Sequence, residues 1–168
     1  DKAGNVSPAG ASTFRYDGTP PSVSAVASRP PDGNGWYTRP VGIVAVGSDP
    51  VSGVASCTAP TYSGPDTAGV GVGATCTDKA GNTSAPAVAT VKYDTVAPSV
   101  SAAADRPPDG AGWYRRPLTI GFSASDGLSG VASCTAPVRY DGPDRAGATV
   151  AGTCSDAAGN SAGATHAF

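Results

Sequence analysis

The chain has 168 residues, with 11 basic and 13 acidic side chains mixed along its length and a net charge of −2. We therefore expect no nucleic-acid partner, because no basic stripe is present, and no membrane insertion, because no apolar run is long enough. The 23 Gly and 16 Pro come close to the level typical of disordered chains. A flexible stalk is thus one alternative, but the strand-like patterns and paired cysteines described below favour a folded β-protein.

The sequence repeats itself. Tyr16 and Asp17 return as Tyr93 and Asp94 about 77 positions later, and such fixed-period self-similarity indicates a tandem array. It predicts a terminal strand of a preceding repeat over residues 1–17, a first repeat over 18–94 and a second over 95–168. Since the chain has no Met and no signal peptide, we expect an internal fragment of a longer exported protein.

Short segments of the first repeat alternate apolar and polar residues, as half-buried strands do. Pro and Gly punctuate them, with a Pro-rich loop over 29–35 and a turn over 78–82 in which Gly81 can adopt positive φ. No segment has helical periodicity, and the second repeat follows the same plan. The pattern predicts two tandem immunoglobulin-like antiparallel β-sandwich domains. The predicted strands of the first repeat cover 22–28, 41–48, 54–58, 70–76 and 88–93, with a weak or absent strand in 60–66.

Each repeat contains two cysteines at matching places, Cys57 and Cys76 in the first and Cys134 and Cys154 in the second. With a single His and no C-x-x-C motif, a zinc site lacks ligands. We therefore predict the disulfides Cys57–Cys76 and Cys134–Cys154, each joining neighbouring strands of one sheet. A small core of mostly Val and Ala needs such a link, and closing a loop of about 20 residues is worth roughly 3 kcal/mol. Disulfides indicate an oxidising compartment, so we expect a secreted or cell-surface protein.

Three motifs occur in order: Asp-x-x-Ser-Gly-Val-Ala-Ser-Cys from Asp49, Thr-Cys-Thr-Asp-Lys-Ala-Gly-Asn from Thr75, and Tyr-Asp-x-x-x-Pro from Tyr93. This set resembles the tandem immunoglobulin-like or hyalin-like repeats of bacterial extracellular and surface proteins. The resemblance covers the whole chain. It implies a stalk, adhesin or spacer role outside the cell, and it implies no particular receptor.

We expect no enzyme. His166 is the only His and has no counterpart in the first repeat, so no Ser-His-Asp or Cys-His set recurs in each unit. The Asp residues fall in segments with turn chemistry, which favours a structural role for them.

Calcium is the one cofactor that the sequence suggests. If two sandwiches stack head to tail, the linker, one inter-strand loop and the final turn meet at the junction, and hard oxygen ligands on loops suit Ca²⁺. The alternative, which we favour because no dense acidic motif is present, is that these residues only cap turns. The candidate ligands are Asp94, Asp126, Asp156 and Asn160 at one junction, and Asp17, Asp49, Asp78 and Asn82 at the equivalent place in the first repeat.

Two aromatic pairs, Trp36 with Tyr37 and Trp113 with Tyr114, have two interpretations. They form an exposed platform for a glycan, or they plug the open end of a core made of small side chains. We favour the second interpretation, because a thin core needs large plugs.

The sequence therefore predicts a structural repeat of an extracellular stalk or fibre, a disulfide-stapled spacer that assembles end to end with neighbouring copies or flanking repeats. The alternative is an adhesive module that binds a glycan or protein receptor through its loops. We expect stiff junctions, because the linker over 93–98 is short and contains Pro. We also expect residues 1–14 to be an ordered strand that pairs outside its own repeat, since an isolated strand is not stable.

Overall fold

The computed structural model describes residues 2–168, so that Asp1, the first residue of the predicted terminal strand, lies outside the described residues. All regular secondary structure in residues 2–168 is β-strand, which confirms the predicted all-β class. Among these residues, there is no helix of the length and apolarity that crossing a membrane requires.

The first repeat folds into three sheets, with the strand orders β1-β3-β5, β2-β8-β6 and β4-β7. Every pairing is antiparallel except that of β2 with β8, which is parallel. The strands are β1 (Ser22–Ala27), β2 (Trp36–Tyr37), β3 (Val41–Ser48), β4 (Val54–Cys57), β5 (Thr61–Tyr62), β6 (Thr67–Ala74), β7 (Cys76–Asp78) and β8 (Ala87–Tyr93).

The second repeat forms two sheets, β9-β10-β12 and β11-β13-β14, and both contain only antiparallel pairs. No sheet formed by residues 2–168 mixes strands from the two repeats. Trp113 and Tyr114, which are equivalent to β2, form no strand here. The strands are β9 (Ser99–Ala104), β10 (Leu118–Ser125), β11 (Val131–Cys134), β12 (Val138–Tyr140), β13 (Thr149–Asp156) and β14 (Ser161–Ala167).

Each repeat has its own apolar cluster. In the first, Val41 and Ile43 of β3 pack with Val91 and Tyr93 of β8. Since β3 and β8 belong to different sheets, these two sheets face each other across the core, an arrangement compatible with a sandwich. The second repeat packs Leu118, Ile120 and Val150 in the same way, with half-buried aromatic side chains around them.

The predicted terminal strand does not form within this chain. Residues 5–21 contain no strand, and both Phe14 and Tyr16 are exposed. In the repeat frame, Phe14 is equivalent to Val91, which is fully buried in the first core. A strand needs a sheet edge to pair with, and no sheet in residues 2–168 includes this segment.

Candidate functional site

Three carboxylates meet where the two repeats join. Asp94 follows β8, Asp126 follows β10 and Asp156 ends β13. One oxygen from each lies within 4.8 Å of the other two. The sequence predicted this set, and the structure brings its three carboxylates together. A second set with the same spacing forms at the start of the first repeat, from Asp17, Asp49 and Asp78.

Asp49 caps the turn that follows β3. Its Oδ1 accepts hydrogen bonds from the backbone N–H groups of Val51, Ser52 and Gly53, at 3.1, 2.8 and 2.9 Å. These bonds, that from Gly53 foremost, hold the pKa of Asp49 below its usual value. Gly53 has φ +78, a conformation that favours glycine. The turn-capping alternative is therefore present in the structure.

Asp126 caps the equivalent turn of the second repeat. Its Oδ1 accepts from the N–H groups of Gly130 at 2.7 Å and Leu128 at 3.1 Å. Burial raises the pKa of this carboxyl, but the hydrogen bonds from Gly130, Leu128 and Ser129 together outweigh it, so the net shift is downward. Asp126 is thus ionised at neutral pH, as a cation ligand needs to be.

Asp78 and Asp156 are 2% exposed and share their turns with an asparagine. Asp78 accepts from the backbone N–H of Asn82 at 2.8 Å and from its side-chain amide at 2.8 Å. Burial raises the pKa of Asp78, but the hydrogen bonds from Asn82, Ala80 and Gly81 together outweigh it, and the pKa is lowered. Asn160 donates to Asp156 in the same way, at 2.8 and 2.9 Å.

These bonds use the nitrogen atoms of Asn160, so the prediction that its side-chain oxygen is a calcium ligand stays a prediction. Its side-chain nitrogen donates both to the Asp156 carboxylate and to the backbone carbonyl of Asp94 at 3.0 Å. An amide oriented as a donor holds the two carboxylate-bearing segments together, and its role is to position Asp94 and Asp156.

Asp94 links the two repeats and is fully buried. Its backbone N–H donates to the carbonyl of Tyr37 in the first repeat at 3.0 Å. Its Oδ2 accepts from the N–H of Ser129 in the second repeat at 3.2 Å. Asp17 makes the equivalent contacts with the first repeat, to the N–H of Ser52 at 3.1 Å and to the side chain of Asn82 at 3.1 Å.

Two observations indicate that these two sets of three carboxylates, the aspartate triads, suit calcium. Two oxygens bound to one Ca²⁺ at 2.3–2.6 Å can lie about 5 Å apart at most, and both triads meet that limit. In addition, Oδ2 of Asp49 is buried and has no hydrogen-bond partner within the described chain. Burying a charged oxygen without a partner is costly. Three carboxylates per site would leave the remaining ligand positions to water or backbone carbonyls.

The aromatic pair of the first repeat is no exposed platform, so the glycan interpretation is wrong for Trp36 and Tyr37. Their side chains are 8% and 6% exposed, because β2 pairs with the end of β8. Lys92 Nζ lies 5.7 Å from the Trp36 ring centre, and the Arg29 guanidinium lies 4.9 Å from that of Tyr37. Tyr37 packs in the core cluster of the first repeat, as the favoured interpretation predicts, and Trp36 is buried beside it in β2.

The aromatic pair of the second repeat lies in a different environment. Trp113 is 58% exposed, and with Tyr114 it lines a cleft of about 600 Å³. Tyr140 and Phe168 complete its apolar wall, with ring centres 5.0 Å apart. The sequence did not predict this cleft, because equal residues in the two repeats indicated equal burial.

Both predicted disulfides are present. Cys57 of β4 bonds to Cys76 of β7, and Cys134 of β11 bonds to Cys154 of β13. Each pair is a direct cross-strand partner in its sheet, as expected. The first disulfide packs directly against Gly47. A Cβ added at Gly47 would lie 2.7 Å from Cys76 Sγ, so a larger residue would not fit there without movement.

Comparisons of the chain with protein-family models, with curated proteins and with solved structures found no match.

Proposed function

We propose that this chain is a structural spacer of an extracellular stalk or fibre, built from two tandem immunoglobulin-like β-sandwich domains held in a fixed relative orientation. The observation that carries the proposal is the complete burial of the Asp94 carboxylate between the repeats. Its Oδ2 accepts from the N–H of Ser129 in the second repeat, and the backbone N–H of Asp94 donates to the carbonyl of Tyr37 in the first repeat. Bending the junction would break these bonds and leave polar groups without partners, which is costly where they are buried.

A second set of contacts supports a fixed junction. The side chain of Asn34, in the Pro-rich loop of the first repeat, donates to the carbonyl of Ala157 in the second at 3.3 Å. Beside it, a Cβ added to Gly33 would lie 2.9 Å from the carbonyl oxygen of Ala158. Since the loop lies directly against the opposite turn, little space remains for relative motion.

The extracellular location in this proposal is supported by the two disulfides and by the motif resemblance. Disulfides persist in secreted and surface proteins, and cross-strand links stabilise thin cores without adding volume. The adhesin alternative has less support, because one of its two aromatic pairs is buried.

The experiment that tests a fixed junction compares the alignment of the two repeats in solution by residual dipolar couplings of backbone N–H groups. Linked domains move independently by default unless their interface is extensive. We expect one alignment tensor to fit both repeats. Two tensors of different magnitude would contradict the spacer proposal.

Calcium binding at the aspartate triads is a second candidate function, favoured by the buried and unpartnered Oδ2 of Asp49. We propose that Ca²⁺ binds both triads and joins the segment before each repeat to that repeat. One triad contains Asp17, Asp49 and Asp78, and the other contains Asp94, Asp126 and Asp156. The cation supplies positive charge to three carboxylates that otherwise repel one another.

Calorimetric titration and thermal unfolding in calcium and in chelator test this proposal. We expect two sites per chain and a higher melting temperature with calcium, since free ligand at 100 times its Kd stabilises by about 2.7 kcal/mol. Asp49→Asn and Asp126→Asn should each remove one site. Asp141→Asn is the matched control, because that carboxylate is 68% exposed and lies outside the triads. No binding heat together with an unchanged melting temperature would contradict calcium binding.

A further inference from the structure

A hairpin turn at the junction contains the only Asn-Gly pair of the sequence, Asn34–Gly35. These two residues form the tip of the turn, across which the Trp36 N–H donates to the Gly33 carbonyl at 2.7 Å. Asn34 has φ +43 and Gly35 has φ +85, as a type I′ turn requires at both central positions. Asn34 is exposed, and a Cβ added at Gly35 would meet no atom within 4 Å. The tip of the turn is thus open to water.

An Asn-Gly pair favours spontaneous deamidation. The backbone nitrogen of the glycine attacks the side-chain Cγ of the asparagine, and the new N–C bond closes a cyclic imide. The Cγ–Nδ2 bond breaks, and Nδ2 leaves as ammonia with the proton of the backbone N–H. Water then opens the imide and leaves aspartate or isoaspartate. Because glycine has no Cβ, no side chain hinders this attack.

Two other asparagines, Asn82 and Asn160, lie in less reactive contexts. They precede Thr and Ser, so a side chain stands on the residue whose nitrogen would attack. Their amides are also held by carboxylates, since Asn82 donates to Asp78 at 2.8 Å and Asn160 donates to Asp156 at 2.9 Å. We therefore expect Asn34 to react before either of them.

We propose that Asn34 is a modification site, at which deamidation by water replaces the amide with a carboxylate and thereby loosens the junction of the two repeats. The side-chain nitrogen of Asn34 donates to the carbonyl of Ala157 in the second repeat at 3.3 Å. Deamidation removes this bond, because an ionised carboxylate has no donor. The inference rests on the proposed spacer function, since it requires a fixed junction that the modification can loosen.

The second repeat presents negative partial charge to this turn. A Cβ added at Gly33 would lie 3.0 Å from the carbonyl oxygen of Ala157 and 2.9 Å from that of Ala158. Asp156, the residue before Ala157, has a buried carboxylate. A carboxylate at position 34 is therefore repelled from the surface that the amide now contacts. Isoaspartate also lengthens the backbone of the tight turn that precedes the buried Trp36.

The second repeat also shows which substitution keeps the turn. Ala111 and Gly112 have φ +48 and +85, and the Trp113 N–H donates to the Gly110 carbonyl at 2.8 Å. Since the same turn forms with alanine at its first central position, Asn34→Ala should retain the hairpin while removing the reactive amide. Asn34→Asp reproduces the aspartate product, and aspartate tolerates the left-handed conformation.

Incubation of the oxidised wild-type chain in mildly alkaline buffer, which promotes loss of the attacking N–H proton, tests the proposal. Peptide mass spectrometry follows conversion at each asparagine, and residual dipolar couplings follow the alignment of the two repeats. We expect conversion at Asn34 to outpace that at Asn82 and Asn160. The converted chain and fresh Asn34→Asp should need alignment tensors of different magnitude for the two repeats. Asn34→Ala is the matched control, and its couplings should not change during incubation.

Conversion at Asn34 that is no faster than at Asn82 and Asn160 would overturn the modification site. One tensor that fits both repeats in the converted chain and in Asn34→Asp would overturn the loosening. Two tensors in the fresh wild-type chain would instead contradict the spacer function, and with it the loosening. In that case the mass spectra would still decide whether Asn34 is modified, so the two failures are distinguishable.

Discussion

At the residue scale, aspartates organise the loops. Asp32 accepts from the guanidinium of Arg39 at 2.7 Å, from the N–H of Thr38 at 2.9 Å and from Arg29 at 2.9 Å. The hydrogen bond from Arg39, followed by that from Thr38, holds the pKa of Asp32 far below its usual value. The N–H of Arg115, followed by Arg106, does the same for the pKa of Asp109 in the second repeat. The Pro-rich loop thus depends on a charged carboxylate.

These shifts predict a loss of stability in acid. A carboxyl whose pKa is lower in the folded chain stabilises it above the unfolded pKa of about 3.9. That contribution is lost as pH falls from about 4 towards the folded pKa. We expect the free energy of unfolding in urea to decrease over this range, and to decrease less steeply in the double variant Asp32→Asn with Asp109→Asn. An equal decrease in the variant would assign the acid sensitivity to other carboxylates.

Residue identities predicted much of the candidate site, because the repeat frame placed the aspartates of three loops together. They did not predict the donor orientation of Asn160 or the unpartnered Oδ2 of Asp49. Those features depend on side-chain rotation within the turn, and residue spacing does not encode that rotation.

At the element scale, β4 and β7 form a sheet to which the described part of the chain adds no third strand, and a disulfide joins them. A two-stranded ladder is marginal alone. Cys57 and Cys76 are 19 residues apart, and Cys134 and Cys154 are 20 apart. The chain-entropy model therefore gives both disulfides about the same weight.

Replacing Cys57 and Cys76 by Ala should lower the stability of the first repeat by roughly 3 kcal/mol. Amide hydrogen exchange resolved by residue measures this, with protection in the second repeat as the internal reference. The matched pair, Cys134→Ala with Cys154→Ala, should reverse the pattern. Undiminished protection of the first repeat would show that its sheets hold without the link.

The strands with clear alternation were predicted well from the sequence, β3 within its observed bounds and β8 within one residue. The parallel strand β2 was missed, because a two-residue strand has no periodicity to detect. The predicted strand over 70–76 is split in the structure into the end of β6 and the start of β7. Alternation of apolar and polar residues reveals a strand with one buried face. It does not reveal where a strand changes its hydrogen-bonded partner.

At the scale of the whole molecule, sequence equivalence and structural equivalence differ. Trp36 and Trp113 share a repeat position but are 8% and 58% exposed. Trp36 pairs with Lys92 of β8, whereas Trp113 belongs to no strand in residues 2–168. Equal residue types at one repeat position therefore do not ensure equal burial, which is why the cleft beside Trp113 was not predicted.

The most direct test of the fixed junction is the alignment of the two repeats in the chain and in its Asp94→Ala variant. Loss of Asp94 leaves the N–H of Ser129 without its acceptor, an effect worth about 1–3 kcal/mol for a buried group. We expect one alignment tensor for both repeats in the wild-type chain and two in Asp94→Ala, with each repeat still folded. Separate tensors in the wild-type chain, or one shared tensor in both proteins, would contradict the role given to Asp94.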